Sequence, residues 1–439
     1  MNLEAICVFA AIGFFLDQDT YWNDDIVLKP ASIHELDDRN KLLRSNPWFQ
    51  WHYTPRDITF DKALEEFSVL FETIVKEQTQ GKKVILPLSG GLDSRTQAVA
   101  LKHINADVFC YSYQFKNGYK ETNIAKQIAQ ACEFEFKTFQ IEDGYLWTNL
   151  DALYQLNRGY SDFTSPRQMA ILSEFETMGD VFSLGHWGDV LFDSMKQPQL
   201  SDEKTVDVVL NKILKRGGLD FAIKLWRSWH LEGSFEVYLK ERLLNLLKQI
   251  DIKNTNAKIR AFKSLYWAPR WTSVNLSIFS SQKPITLPYY DQRMCDFICT
   301  IPEAYLENRQ LQIAYIKLRN PKLAKIKWHD QKPYNLTNYH YNKAPYNLPY
   351  RIYAKLHRTL KSIIGKPYIQ RNWELQFLGD QNKAQLEHYL FNNGLSTLVS
   401  ESVTQKIYND FNEKDDLLNA HAINILLVLS MFNEKQQDV

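Results

Sequence analysis

No sign of charge dominates this chain: its 52 lysines and arginines stand against 51 aspartates and glutamates, a formal net charge of +1 over 439 residues. A chain so balanced has no global attraction for nucleic acid or acidic membranes, so any basic site must be local. Cysteine is scarce as well. Cys7, Cys110, Cys132, Cys295 and Cys299 are scattered, odd in number and without a C-x-x-C pair, which excludes a disulfide framework and fits buried thiols in a reducing cytoplasm. Cys295 and Cys299 would share one helix face, but no histidine lies near them in sequence to complete a zinc site. Long apolar runs are missing too. Ile6–Leu16 is flanked by Glu4 and by no basic residue, unlike a secretory leader. The run INILLVLSMF near the C-terminus falls short of the ~18 apolar residues of a membrane span and reads as a buried helix. Internal repeats, low-complexity tracts and a Walker phosphate loop are also absent, since IIGKPY (363–368) lacks the first glycine and the hydroxyl.

What is present organises itself by period. With 45% hydrophobic residues the chain can bury a substantial core and divides into two or three units. Residues 1–45 read as a few strands and turns broken by Gly13, Asp17, Asp19 and Pro30, with Cys7 inside an apolar strand; the unit is too small for its own core. Leu64, Phe67, Leu70, Phe71, Ile74 and Val75 recur at helical spacing over 61–80, with Gly81 placed to end the helix. Strand and helix then alternate: a strand over 82–89, a helix from Asp93 to His103, a strand over 107–115, a helix from Glu121 to Cys132 and a strand over 134–141. Helical pattern over 144–157 and 166–178 leads to a further strand over 180–186. Such alternation predicts an α/β fold with a doubly wound parallel sheet, and ligands then sit beyond the carboxyl ends of the strands. Residues 200–280 and 345–439 read as mainly helical.

The stretch VILPLSGGLDSRTQAVA (84–100) is the most informative. Gly90 and Gly91 permit a sharp turn after a strand and bring backbone N–H groups close to a ligand, while the following helix aims its positive end at the same place. Ser89 and Ser94 add hydroxyl donors for phosphate oxygens. Asp93 would repel bare phosphate, and its presence makes sense if a magnesium ion lies between them. The alternative is a tight turn in which Ser89 and Asp93 merely cap the helix.

SGGLDS resembles the pyrophosphate-binding loop of the PP-loop ATP pyrophosphatase superfamily, and LPLSGGLDSRTQAVAL resembles its asparagine synthetase branch. Other stretches agree in order: ETNIAKQIAQAC, SLGHWGDVLFDSM (183–195), LPYYDQRMCDFICTIPEAY (287–305) and WHDQKPYN (328–335). The resemblance runs from about residue 60 to 340. It implies an adenine nucleotide alpha hydrolase-like fold in which ATP and Mg2+ are used to activate a carboxylate as an acyl-adenylate for attack by an amine. It further implies that Ser89, Gly90, Gly91, Leu92, Asp93 and Ser94 cradle pyrophosphate and that Asp93 and Asp189 hold magnesium. Gly185 would belong to the second loop of the nucleotide site, Ser112 and Tyr113 would contact adenine by their backbone, and Lys332 would stabilise the transition states. Arg95 is a lesser candidate, readable as a helix-surface charge.

Departures from the family pattern matter equally. Residue 2 is Asn2, not a catalytic cysteine, so 1–45 resembles only the closing part of a glutaminase domain and the expectation is an ATP-binding synthetase domain over 46–345 without glutamine hydrolysis of its own. A helical extension, 346–439, is expected to pack on it. Nitrogen would come from free ammonia, a separate donor protein or an amine on the substrate. In the second loop, family glutamates are replaced by His186 and Val190, and a family lysine by Gln312, which makes aspartate doubtful as acceptor. His186 could serve as a base toward the amine or be a structural histidine. The acid could be a small molecule, a peptide or a sugar acid. No nucleic-acid partner is expected, and the location is expected to be cytoplasmic. The competing reading is a nucleotide-binding scaffold that has lost turnover. Finally, RIYAKLHRTLKSIIGK (351–366) has an apolar stripe with basic residues on other faces; it reads first as a helix packed on its own domain, and second as one that touches an anionic membrane or a leader peptide.

Overall fold

The apolar run near the start of the chain is a helix, α1 (Leu3–Ile12), and not the expected strand, so Cys7 is a helical core residue. Local signals explain this. Asn2 caps the first turn by accepting from the Ala5 N–H at 3.1 Å, and Gly13, at φ +80°, closes the last turn with its N–H on the Phe9 carbonyl. Every residue from Ala5 to Ile12 is fully buried, so the helix has no polar face from which a period could be read. The computed structural model describes residues 1–120, 122–365 and 367–437, with Gln437 by its backbone alone. Glu121, the expected helix start, and Lys366, the end of the basic stretch, lie outside the described residues.

An antiparallel hairpin follows, β1 (Ser32–Leu36) with β2 (Leu42–Pro47), and then α2 (Phe60–Thr79). The central unit is β3 (Val84–Pro87), α3 (Asp93–His103), β4 (Val108–Phe115), α4 (Thr122–Cys132), β5 (Glu135–Ile141), α5 (Tyr145–Asn157), β6 (Val181–Ser183), α6 (Gly188–Leu191) and the edge strand β7 (Ile285–Thr286). All neighbours in the sheet are parallel, in the order β5-β4-β3-β6-β7. This is an adenine nucleotide alpha hydrolase-like fold. The two-residue β7 has too short a pattern to be read from sequence. The segment expected to be helical over 166–178 is a 3-10 helix, Arg167–Thr177, broken at Ile171.

The pleat sorts the sheet residues between two cores. Val84, Leu86, Val108 and Cys110 face α2, α3 and α4, whereas Ile85, Tyr111 and Phe182 pack with Phe175 and Phe279 on the opposite side. The order in which strands are added across the sheet reverses at β3, between β4 and β6, and the loops leaving the carboxyl ends of β3 and β6 open into the crevice formed there.

A third, helical core joins α1 and α5 to the helices between residues 202 and 280 and to those after 372. Its last member, Asp416–Gln437, is by length and composition apolar enough to cross a membrane, yet 67% of its most apolar window is buried, which makes it a core helix. The helix Leu348–Ile363 behaves differently. None of its residues is buried, so the reading that its apolar stripe packs on its own domain is corrected.

Candidate functional site

The loop between β3 and α3 is held by its own hydroxyls. The Ser94 Oγ accepts from the Ser89 N–H at 3.1 Å and lies 3.1 Å from the Ser89 Oγ, which in turn accepts from the Gly91 N–H at 3.2 Å. No side chain caps α3, so the capping role considered for Ser89 and Asp93 is not the one they play, and the first-turn N–H groups are left for an anion. Ser89 is exposed, whereas Leu92 and Ser94 are buried. Neither Gly90 nor Gly91 has positive φ; what Gly90 supplies is close approach, because a Cβ there would lie 2.8 Å from the His329 Cβ.

Asp93 opens α3 and is bound from three directions. Its Oδ1 accepts from the Arg309 guanidinium and, at 3.2 Å, from the Gln312 side-chain amide, while its backbone carbonyl accepts from the Tyr289 hydroxyl at 3.1 Å. Gln312 also donates to the Tyr289 oxygen and accepts from Arg309 Nε at 2.8 Å. Burial pushes the Asp93 carboxyl up to about 6 against the pull of Arg309, and the negative charge of Asp189 adds to the rise. The second loop, after β6, presses directly on this residue. A Cβ on Gly188 would sit 2.2 Å from Asp93 Oδ1, and one on Gly185 would sit 3.2 Å from the Asp93 Cβ. Asp189, in α6, is exposed on the rim. Asp189, 96 residues away in sequence, is therefore close enough for its charge to raise the cost of ionising Asp93.

These groups fit a hard divalent cation shared with phosphate oxygens, for which one or two carboxylates suffice. Among the described residues no cluster of three or more His, Cys, Asp or Glu is placed to hold a metal, so an all-protein cage is not on offer. Asp93 and Asp189 are the residues that would hold such an ion, with Arg309 as the resident counter-charge.

The Lys332 stretch is tied to the same loop. The His329 N–H donates to the Gly90 carbonyl at 3.1 Å, and the Trp328 and Gln331 backbones form a turn that brings Lys332 three residues beyond this contact. Arg95 is wholly buried, not a surface charge. Its guanidinium donates to the carbonyls of Gly90, Leu323, Ile326 and Lys327, strapping the phosphate loop to the segment that leads to Lys332. Ser112 and Tyr113 lie within β4, where β3 has already ended: the last β3 pair is Pro87 with Tyr111, while β4 pairs with β5 as far as Phe115. Because Tyr111 bonds toward Leu88, the period of two turns the Tyr113 backbone to that same, now vacated side.

His186 is partly exposed beside Phe279, and burial pushes its imidazole down to about 4, leaving it neutral at neutral pH; its Nδ1 has no hydrogen-bond partner. Sequence reasoning missed two cations. Arg309 sits in a stretch without periodicity and follows Asn308 in left-handed backbone, φ +62° and +55°. Lys263 opens a π-helix, Lys263–Thr272, over the rings of Trp187 and Trp267, where burial lowers its ammonium and the charge of Asp189 opposes the shift. Trp187 also has positive φ, +76°, and its indole donates to Ser264. Bulky residues in this backbone region are uncommon and gather at functional sites. A sequence signal for this distortion is Pro269, inside an otherwise helical pattern.

Residues 66–251 match the family model described as asparagine synthase. Over those residues the chain carries an asparagine synthase-like domain of the PP-loop type, which supports ATP-using, ligase-type chemistry in general. The match contains Ser89–Ser94, Ser112, Tyr113, Gly185, His186 and Asp189, whereas Arg309 and Lys332 lie beyond it. No curated protein matches the sequence. Among solved structures, the U34-tRNA thiolase NcsA from Methanococcus maripaludis with its 4Fe-4S cluster aligns at 16% identity and a TM-score of 0.22, over 48% of this chain and 86% of that one, too low a similarity to bear on the site.

Proposed function

We propose that the protein is an ATP-dependent, AMP-forming carbon–nitrogen ligase. An oxygen of a substrate carboxylate attacks the α-phosphorus of ATP, pyrophosphate departs, and ammonia or an amine then attacks the activated carbonyl carbon, forming the amide as AMP leaves and the amine proton is lost. The observation that carries this reading is the meeting, in one crevice, of the hydroxyl-braced loop 89–94, the carboxylates of Asp93 and Asp189, and the segment bearing Lys332.

Each residue then has a task. Ser89, Ser94 and the N–H groups of Gly90, Gly91 and Leu92 bind the departing pyrophosphate. Asp93 and Asp189 hold Mg2+, which when bound offsets the charge of the phosphates. The backbone of Ser112 and Tyr113 receives adenine, Gly185 keeps the second loop close, and Lys332 places positive charge where negative charge develops. A neutral His186 is available to accept the proton of the amine. Arg309, Lys263 and Lys332 make the surroundings attractive to an acid. Gln312 is occupied in holding Asp93, which supports an acceptor other than aspartate.

Acid-dependent exchange of labelled pyrophosphate into ATP, run with amino acids, sugar acids and peptides, tests the proposal. Exchange with at least one acid, abolished by Asp93→Asn and lowered by Lys332→Ala, is expected. A protein that binds ATP but exchanges with no acid is the scaffold of the competing reading.

A further inference from the structure

We propose that the helix Leu348–Ile363 docks the protein on an anionic lipid bilayer. Leu348, Ile352, Leu356, Leu360 and Ile363 are exposed, Ile363 by 75%, and with Tyr353 and Ile364 they form one apolar face that also contains the exposed Thr359. On the wheel, Arg351, Lys355 and Arg358 occupy the side away from it. The partly covered residues, Tyr350, Ala354, His357 and Lys361, recur at spacings of 4, 3 and 4. They mark the stripe by which the helix leans on the protein, through His357 and Lys361 against Tyr368. The apolar face is thus turned outward by the way the helix is seated.

Charge says what covers it. Between Gln331 and Trp373 the sequence holds eight lysines and arginines and no aspartate or glutamate, in a chain whose net charge is only +1. The same stretch holds seven tyrosines, of which Tyr341, Tyr346 and Tyr353 are exposed. An apolar face flanked by cations and tyrosine hydroxyls matches the layered chemistry of an anionic membrane surface, with acyl chains below and phosphates above.

Position relative to the crevice gives the docking a consequence. Before the helix, Asn347 donates to Asn342, which donates to Gln331 beside Lys332. After it, Tyr368 stacks on Tyr119 at 4.3 Å and Ile369 bridges to Gly118, just past β4. The helix hangs between two segments that frame the proposed nucleotide site. A docked protein would therefore present that site to acids or amines carried at the lipid surface, a corollary that rests on the ligase reading; the docking itself does not.

The test is flotation of the full chain with vesicles of phosphatidylcholine alone or enriched in phosphatidylglycerol, together with sedimentation analysis of its oligomeric state. Flotation with the anionic vesicles only is expected. Leu356→Glu/Ile363→Glu should lower it at least about tenfold, and Arg351→Glu/Lys355→Glu/Arg358→Glu should remove the preference for anionic lipid. These substitutions touch no buried residue, and unchanged thermal unfolding checks that each variant is folded. Equal behaviour toward both vesicle types, no flotation, or a wild-type dimer that Leu356→Glu/Ile363→Glu dissolves would overturn the proposal. Pyrophosphate exchange without lipid is read separately, so docking and catalysis can fail independently.

Discussion

Asp93 gathers more of the site than any other side chain, and what holds it is a set of close contacts. Gly188 leaves no room for a methyl group against its Oδ1. Gly188→Ala must therefore displace either the carboxylate or the second loop by an ångström or more. Acid-dependent exchange should fall about 100-fold, with little change in unfolding temperature. Arg95 is the second residue on which geometry depends. Arg95→Met removes a donor from four backbone carbonyls, of which Gly90 and Leu323 keep a backbone N–H partner, and chemical denaturation should show a loss of about 3 kcal/mol. Arg95→Lys keeps the charge but not the planar fork, so it should recover only part of that stability. Read in sequence, Arg95 was indistinguishable from a surface charge, because three of the four carbonyls it binds lie more than two hundred residues away.

At the scale of elements, the docking of α1 on the C-terminal helix has a titratable joint. His421 Nε2–H donates to the Ala10 carbonyl at 2.9 Å, and burial pushes its imidazole down to about 4, with nearby Lys215 acting in the same direction and Asp162 opposing. An unfolded histidine titrates near ~6.5. Below that pH the unfolded chain takes up a proton that the folded one refuses, so this contribution to stability falls as pH drops from about 6.5 toward about 4. Denaturation midpoints of the wild type should decline over that window more than those of His421→Gln. Most strands and helices of the sheet were legible because their periods and turn residues are local: the helix from Asp93 to His103 was read to the residue. The N-terminal helix was not, since an element buried on every side carries no alternation, and an apolar run alone does not distinguish helix from strand.

For the whole molecule, the helical core joins the two ends of the chain. Because Ala5–Leu16 contribute buried residues to the same cluster as the helices after residue 372, deleting residues 1–16 should abolish cooperative unfolding and leave a chain that aggregates, as followed by calorimetry and light scattering. All five cysteines are buried and free, with burial raising every thiol. A thiol-reactive dye should find none in the native protein and five after unfolding in denaturant.

The sequence alone determined the parallel sheet and the candidacy of residues 89–94, Asp189 and Lys332, because strand–helix alternation and a diglycine turn are short-range properties. Only the tertiary structure decided that Arg309, Gln312 and Tyr289 hold Asp93, that Arg95 is a buried strap, and that the helix Leu348–Ile363 shows its apolar face to solvent. Those outcomes depend on which distant groups fill the space around a side chain, and burial of that kind is a property of the packed chain as a whole.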